Sequence, residues 1–233
     1  MYYALMPSFI GRDRFIEIMM EAGFRLKRSR NYRRTTFAGR IRYPNLIKGM
    51  KVEDSSVIWQ SDITYLPLGD KFYYAIFIID VYSKKIVGYK VSKHMRAMAN
   101  VGALAMALRT HRSPKIHHSD RGSQYSGLQY VSMLKRNNTL ISMGLKPQEN
   151  AYAERINRTI KEEYLDRWKA KNYGQLQRQV SKAVRHYNNE RPHNHLNRMT
   201  PVAFETQCKN PAFVKPGITI FDDNNLLKPV NSI

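Results

Sequence analysis

A mixed-sheet α/β domain is the fold class this sequence predicts, and three observations predict it. Strand-like segments follow one another between residues 57 and 91, helical and strand-like segments alternate from residue 97 to 143, and amphipathic helices complete the pattern. Residues 11–22 read as a first helix, with Phe15, Ile18, Met19 and Ala22 at i, i+3, i+4 and i+7 and Gly23 placed to end it. A basic arm follows, in which Arg25, Lys27, Arg28, Arg30, Arg33, Arg34, Arg40 and Arg42 are interleaved with Tyr32 and Tyr43.

Along Val57–Leu66 the side chains of a strand alternate, so Trp59, Ile63 and Tyr65 share one face and Gln60, Asp62 and Thr64 the other. A polar row on so apolar a strand predicts that its face meets a site. Phe72–Val81 is a nearly unbroken apolar run, as in a strand covered on both sides. Asp80–Ser83 reads as a turn and Lys85–Val91 as a third strand. A helix is expected around Ala97–Leu108, a short strand at Lys115–Ser119 ending on Asp120, a helix at Leu128–Lys135 and a fifth strand at Thr139–Met143. Residues 149–167 form the next helix, with the stripe Ala153, Ile156, Ile160 and Tyr164. Leu176, Val180, Ala183, Val184 and Tyr187 mark a long helix that stops before Pro192. Thr200-Pro201 reads as an N-cap with proline in the first helical position. The expected organisation is a basic helical segment at 1–50, a catalytic core at 51–208 and a loosely ordered tail at 209–233.

The chain carries 39 Lys and Arg against 18 Asp and Glu, a formal charge of +21. Such an excess attracts polyanions without specifying a fold. Cys208 is the only cysteine, which excludes an internal disulfide framework or a cysteine-based zinc site. No apolar run reaches the ~18–20 residues of a membrane span. Met1–Pro7 lacks the basic start and long apolar centre of a signal peptide, so cytoplasmic residence is expected by elimination. No phosphate-cradling glycine motif and no serine nucleophile elbow is present.

Three carboxylates carry the chemistry. Asp62 lies mid-strand, where aspartate is disfavoured, so a metal or a charge partner is expected. Asp120 ends a strand, where open α/β sheets build sites, although an Asp that caps a loop fits the same position. Glu154 lies on a helix with Arg158 at i+4, Lys161 at i+7 and Asn157 nearby, a pattern shared by ordinary helix-surface ion pairs. Carboxylates from three elements are what a pair of Mg²⁺ ions needs against a phosphodiester. Asp80 is explained by a turn and Glu149 by a helix start. His117 and His118, adjacent on a strand, point to opposite faces and cannot chelate together.

Trp59–Tyr65, Asp80–Gly88, His117–Tyr125, Glu149–Glu163, Tyr187–His193 and Thr200-Pro201 resemble insertion-sequence transposases of the OrfB type, DDE enzymes of the retroviral-integrase superfamily. The resemblance runs from about Ile10 to Phe204. It implies an RNase H-like core with a five-stranded mixed sheet flanked by helices. It also implies that Asp62, Asp120 and Glu154 are the acidic triad binding two Mg²⁺ ions, for which Mn²⁺ can substitute. Transposon-end DNA is then expected at Arg158, Lys161 and Asn157, and phosphate attraction at Arg28, Arg30, Arg33 and Arg34. Target DNA, a homo-oligomer on DNA and an upstream helix-turn-helix partner or fusion of the OrfA type are the implied partners, with no membrane. Thirty-three residues separate Asp120 from Glu154, slightly fewer than in many relatives, and Glu149-Asn150-Ala151 stands where many have Asp-Asn-Ala. The expected activity is cleavage of transposon ends and strand transfer. A non-catalytic DNA-binding remnant or inhibitor, and a structure-specific nuclease of the same fold, are the alternatives.

Overall fold

The computed structural model describes residue 7 and residues 9–24 and 43–220. The chain divides into two compact units, residues 1–35 and 36–233. In the first, α1 (Arg12–Glu21) ends as its Gly23 predicts. Gly23, at φ 81°, donates to Met20 C=O at 3.1 Å, and Phe24 donates to Met19 C=O at 2.9 Å, the paired bonds of a Schellman cap. None of the residues of α1 is buried.

The second unit contains, in order, β1 (Lys51–Val52), β2 (Ile58–Leu68), β3 (Lys71–Asp80), β4 (Ile86–Ser92), α2 (Ala97–Thr110) and β5 (Ile116–Ser119). There follow α3 (Leu128–Arg136), β6 (Leu140–Met143), α4 (Ala151–Ile160), α5 (Tyr173–Asn189), α6 (Pro201–Gln207) and β7 (Ile218–Thr219). Five strands form a mixed sheet in the order β4-β3-β2-β5-β6. β2, β3 and β4 pair antiparallel, whereas β5 runs parallel to β2 and β6 parallel to β5. This is the RNase H-like mixed sheet that the sequence led us to expect.

The apolar run in β3 is divided between two cores. Ala75, Phe77 and Ile79 face α4 and α5 with Ile156, Ile160, Val180 and Tyr187, while Ile76 and Ile78 face α2 and α3 with Trp59, Leu104 and Leu134. Gly88 lets α2 close on β4, since a Cβ there would meet the Ala103 carbonyl oxygen and, at 2.8 Å, the Ala107 methyl. Asn188 on α5 pins the start of β4, accepting from Ile86 N–H at 3.0 Å and donating to its C=O at 2.9 Å. Arg191 then forks onto Glu163, at 2.6 and 2.7 Å. Much of the Tyr187–His193 motif is therefore fastening rather than chemistry.

Two boundaries differ from expectation. The stretch at 43–52 belongs to the second unit, because Met143 N–H donates to Pro44 C=O at 3.2 Å and Ile47 is fully buried. Of the tail expected to be loose at 209–233, the described part up to Ile220 returns to pair β7 with β1 and buries Ile220 completely, and the rest lies outside the described residues. Burying one isoleucine and zipping a short ladder offsets the ordering of that segment. Among the described residues no helix is long and apolar enough to cross a membrane.

Candidate active site

The polar row of β2 faces α4, and it assembles the site. Asn157 donates its amide to Asp62 Oδ2 at 2.8 Å, while Ile63 N–H donates to Oδ1 at 2.8 Å. Two residues earlier, Gln60 Oε1 accepts from the N–H groups of Tyr152 and Ala153 at 3.2 and 3.4 Å. Those are orphan donors of the first turn of α4, so a strand side chain takes the place of a cap. Asn150 donates to Ser61 C=O at 2.9 Å. Three successive β2 residues thus lock the helix carrying Glu154 onto the strand carrying Asp62. Asp120 leaves β5 next to β2 and is oriented by Gly122 N–H at 3.0 Å.

The three carboxylates sense one another. Burial, then the charges of Asp120 and Glu154, push Asp62 up to about 8, against the opposing hydrogen bonds from Ile63 and Asn157. Burial raises Asp120, against the Gly122 N–H. Burial also raises Glu154, with Arg158 pulling it down and Asp120 adding to the rise. Tyr125, fully buried, meets Ser61 Oγ at 3.1 Å and is kept neutral by burial and by Asp62 and Asp120.

Whether this set fits a divalent cation rests on its donor chemistry. All three are hard oxygen donors of the kind Mg²⁺ takes, and their mutual repulsion is what a cation would relieve. Among the described residues, no three His, Cys, Asp or Glu side chains converge as ligands of one ion. The chemistry and charge of the triad fit Mg²⁺ or Mn²⁺.

Neighbouring candidates fall to structural roles. Asp80 accepts from the N–H groups of Ser56, Tyr82 and Ser83 at 2.6, 3.0 and 2.9 Å, holding the β3–β4 turn. Glu149 lies in a 3₁₀ turn at Pro147–Asn150 and accepts from the N–H groups of Leu145 and Lys146. Burial pushes its carboxyl up, but those N–H groups outweigh burial and hold it below the usual range. His117 turns to Tyr130 OH at 2.9 Å and His118 to Ser142 Oγ at 2.8 Å, on opposite faces as expected.

Of the residues expected at DNA, Arg158 is exposed beside Glu154. Lys161 is half-buried and lies by Asp166, at the start of a π turn (Lys161–Leu165) that interrupts the helix. Asn157 departs from expectation: it is 6 % exposed, and its amide serves Asp62. Arg28, Arg30, Arg33 and Arg34 lie outside the described residues.

Comparison with known proteins bears on the same segments. Two models described as "Integrase core domain" match residues 54–147 and 138–201. A 31 kDa protein of insertion element IS600 from Shigella sonnei is 32 % identical over 84 % of this chain and 75 % of its own length. The chain belongs to the insertion-sequence transposase family with an integrase core. A transposase for insertion sequence element IS629, also from Shigella sonnei, is 37 % identical over 64 % of the chain and 51 % of its own length. One for IS904 from Lactococcus lactis is 32 % identical over 70 % and 66 %. Among solved structures, the HTLV-2 integrase catalytic core in complex with magnesium matches with TM-score 0.55 at 17 % identity, covering 69 % of this chain and 99 % of that one. A simian T-cell lymphotropic virus intasome matches with TM-score 0.60 at 17 % identity, covering 90 % and 74 %. At such identity these two speak for the fold, which is that of a retroviral integrase core.

In this transposase-family core, sequence reasoning placed Gln60 on the site-facing row but missed its bonds to the start of α4, and missed Asn150 and Tyr125. The polar row on β2 was the available signal for Gln60. For Asn150 and Tyr125 no local pattern pointed to Ser61.

Proposed function

We propose that the chain is the catalytic part of a DNA transposase, cleaving transposon ends and joining them to target DNA. The observation that carries this reading is the placement of Asp62 on β2, Asp120 at the end of the adjacent β5 and Glu154 on α4, which Asn157 and Gln60 fasten to β2, in a strongly basic chain. The relatives named as transposases support it. Asp62, Asp120 and Glu154 would hold two Mg²⁺ or Mn²⁺ ions. When bound, such ions help a hydroxyl to attack a phosphodiester and stabilise the oxygen that leaves.

The remaining work falls to the chain itself. Asn157 and Ile63 N–H fix both oxygens of Asp62, and Gly122 N–H fixes one of Asp120. Gln60 and Asn150 keep Glu154 in register with Asp62. Arg158, exposed next to Glu154, offers a guanidinium to a DNA phosphate and positions the strand. Water and then a 3′-hydroxyl serve as nucleophiles, so no covalent enzyme intermediate arises. Oligomeric assembly on DNA and an upstream helix-turn-helix partner belong to the same proposal, the first supported by the intasome likeness.

The test is strand transfer with pre-cleaved element ends in Mg²⁺ or Mn²⁺. Asp62→Asn, Asp120→Asn and Glu154→Gln should each abolish joining while leaving DNA binding within a few-fold, since each removes transition-state stabilisation of several kcal/mol. Near-normal joining by Glu154→Gln would overturn the triad.

A further inference from the structure

A group of basic side chains from elements distant in sequence gathers at the helix that carries Glu154. Lys84 sits in the β3–β4 turn, Arg155 follows Glu154 on α4, and His195 lies in the loop between α5 and α6. Arg155 Nη1 and His195 Nε2 are 3.5 Å apart, and the Lys84 ammonium lies 4.0 Å from the centre of the Tyr152 ring, one helix position before Ala153. Arg155 and His195 are exposed, and Lys84 is half-buried at their base. Burial brings Lys84 down to about 7, with Asp80 resisting and Arg155 adding to the fall, and burial, Arg155 and Lys84 lower His195, so a bound anion would restore charge to both.

Ordinary surface cations crowded like this are offset by acids. Here Asp80 offsets Lys84 only through space, and the other nearby acids are paired elsewhere. One oxygen of Asp80 accepts from Ser56 N–H, ahead of β2, and the other from Tyr82 and Ser83 N–H in the turn. Glu205 pairs with Lys85 at 2.6 Å and Ser83 at 2.9 Å, and Glu163 is taken by Arg191. Among the described residues neither Lys84 nor Arg155 forms an ion pair. Lys84 gives one donor to Val81 C=O at 2.5 Å and keeps the rest, and Arg155 gives only the long contact to His195. Lys84 also holds a left-handed backbone, φ 61°, which a lysine adopts only when its surroundings dictate it.

We propose that Lys84, Arg155 and His195 form a phosphate-binding site for a DNA backbone, adjoining the Arg158 side of α4. The proposal rests on the transposase reading. Arg155 lies three residues before Arg158, so the two are neighbours on the helix surface. A strand crossing α4 at Arg158 would meet this group next. Forked and single-point donors together suit a phosphate better than a planar carboxylate alone. Joining requires two DNA molecules at one triad, and a second phosphate site on the same helix supplies a place for the further backbone.

The experiment uses the full chain with Arg155→Gln, Lys84→Met and the double variant, beside wild type and Arg158→Ala. Binding is read by fluorescence anisotropy across a salt series, first on a duplex carrying the element end, then on a labelled target duplex added to end-loaded protein. Each lost phosphate contact should reduce the slope of log K against log[salt] by about 1. A drop in the first arm assigns the site to the element end and a drop in the second to target; either supports the proposal. Arg155 is exposed, so its variant carries the test even if Lys84→Met folds poorly. Unchanged slopes for a folded Arg155→Gln in both arms, with wild type salt-dependent, overturn this inference alone. Wild type without salt-dependent binding overturns it together with the transposase reading.

Discussion

Asp62 is held by opposing influences: burial and two like charges favour its proton, and two N–H donors favour its ionised form. The proton wins at neutral pH. With a folded value of about 8 against 3.8 when free, its contribution to stability is fully present below the lower value and is lost as pH rises through the upper one. Asp62→Asn should therefore flatten the fall in melting temperature between acid and pH 8, and melt above wild type at pH 8. Mg²⁺ should raise the wild-type melting temperature and leave the variant unmoved. A cation-induced rise that survives in Asp62→Asn would exclude Asp62 as a ligand. Asn157 carries a separate prediction. As the group orienting Asp62, its replacement by alanine should slow joining about 10–100-fold with an unchanged salt slope of DNA binding. A reduced slope with normal joining would return Asn157 to the DNA. Asp62 was legible because aspartate is out of place inside a strand. The bond from Asn157 to Asp62 was not legible, because helix spacing gives an angle around the axis, not what stands opposite, and Asp62 lies 95 residues away in sequence.

Each main strand and helix was legible from its periodicity, to within one or two residues for most ends, because each buries a definite face. The β1–β7 pairing was not, since two-residue strands have no period and their partners come from opposite ends of the unit. The π turn escaped for a related reason. It adds a residue to one turn, so that Tyr164 and Leu165 are both buried, while the stripe Ala153, Ile156, Ile160 still reads as an ordinary helix. Two contacts between elements can be tested. Gly88→Ala forces α2 away from β4 and should cost about 1–3 kcal/mol, measured as a lower denaturation midpoint at unchanged m-value. An unaffected midpoint would mean that α2 moves aside freely. Arg191→Lys should recover little of what Arg191→Ala loses in thermal melting. One ammonium cannot reproduce the two-pronged contact with Glu163, and the pair is only partly exposed. Full recovery by lysine would reduce the contact to simple charge.

At the scale of the molecule, an excess of 39 basic over 18 acidic side chains makes salt the natural probe. Arg158→Ala with Lys161→Ala should lower the salt slope of DNA binding by ~1–2 while leaving the melting temperature nearly unchanged. If the slope holds, both are solvated surface. Composition pointed to a polyanion partner, but not to which basic side chains would face it: Lys161 lies by Asp166, and Lys84, half-buried in a turn, gave no sign in the sequence. The fastening of α4 to β2 has one more consequence. Gln60 and Asn150 fix the start of the helix from the sheet, and Glu149 closes the preceding loop on itself through Leu145 and Lys146. The position of the third acid is therefore independent of how many residues the loop contains. The interval between Asp120 and Glu154 then counts residues along the chain and not the distance between the two carboxylates. In this chain the registration resides in Gln60, two places before Asp62, and in Asn150, four before Glu154.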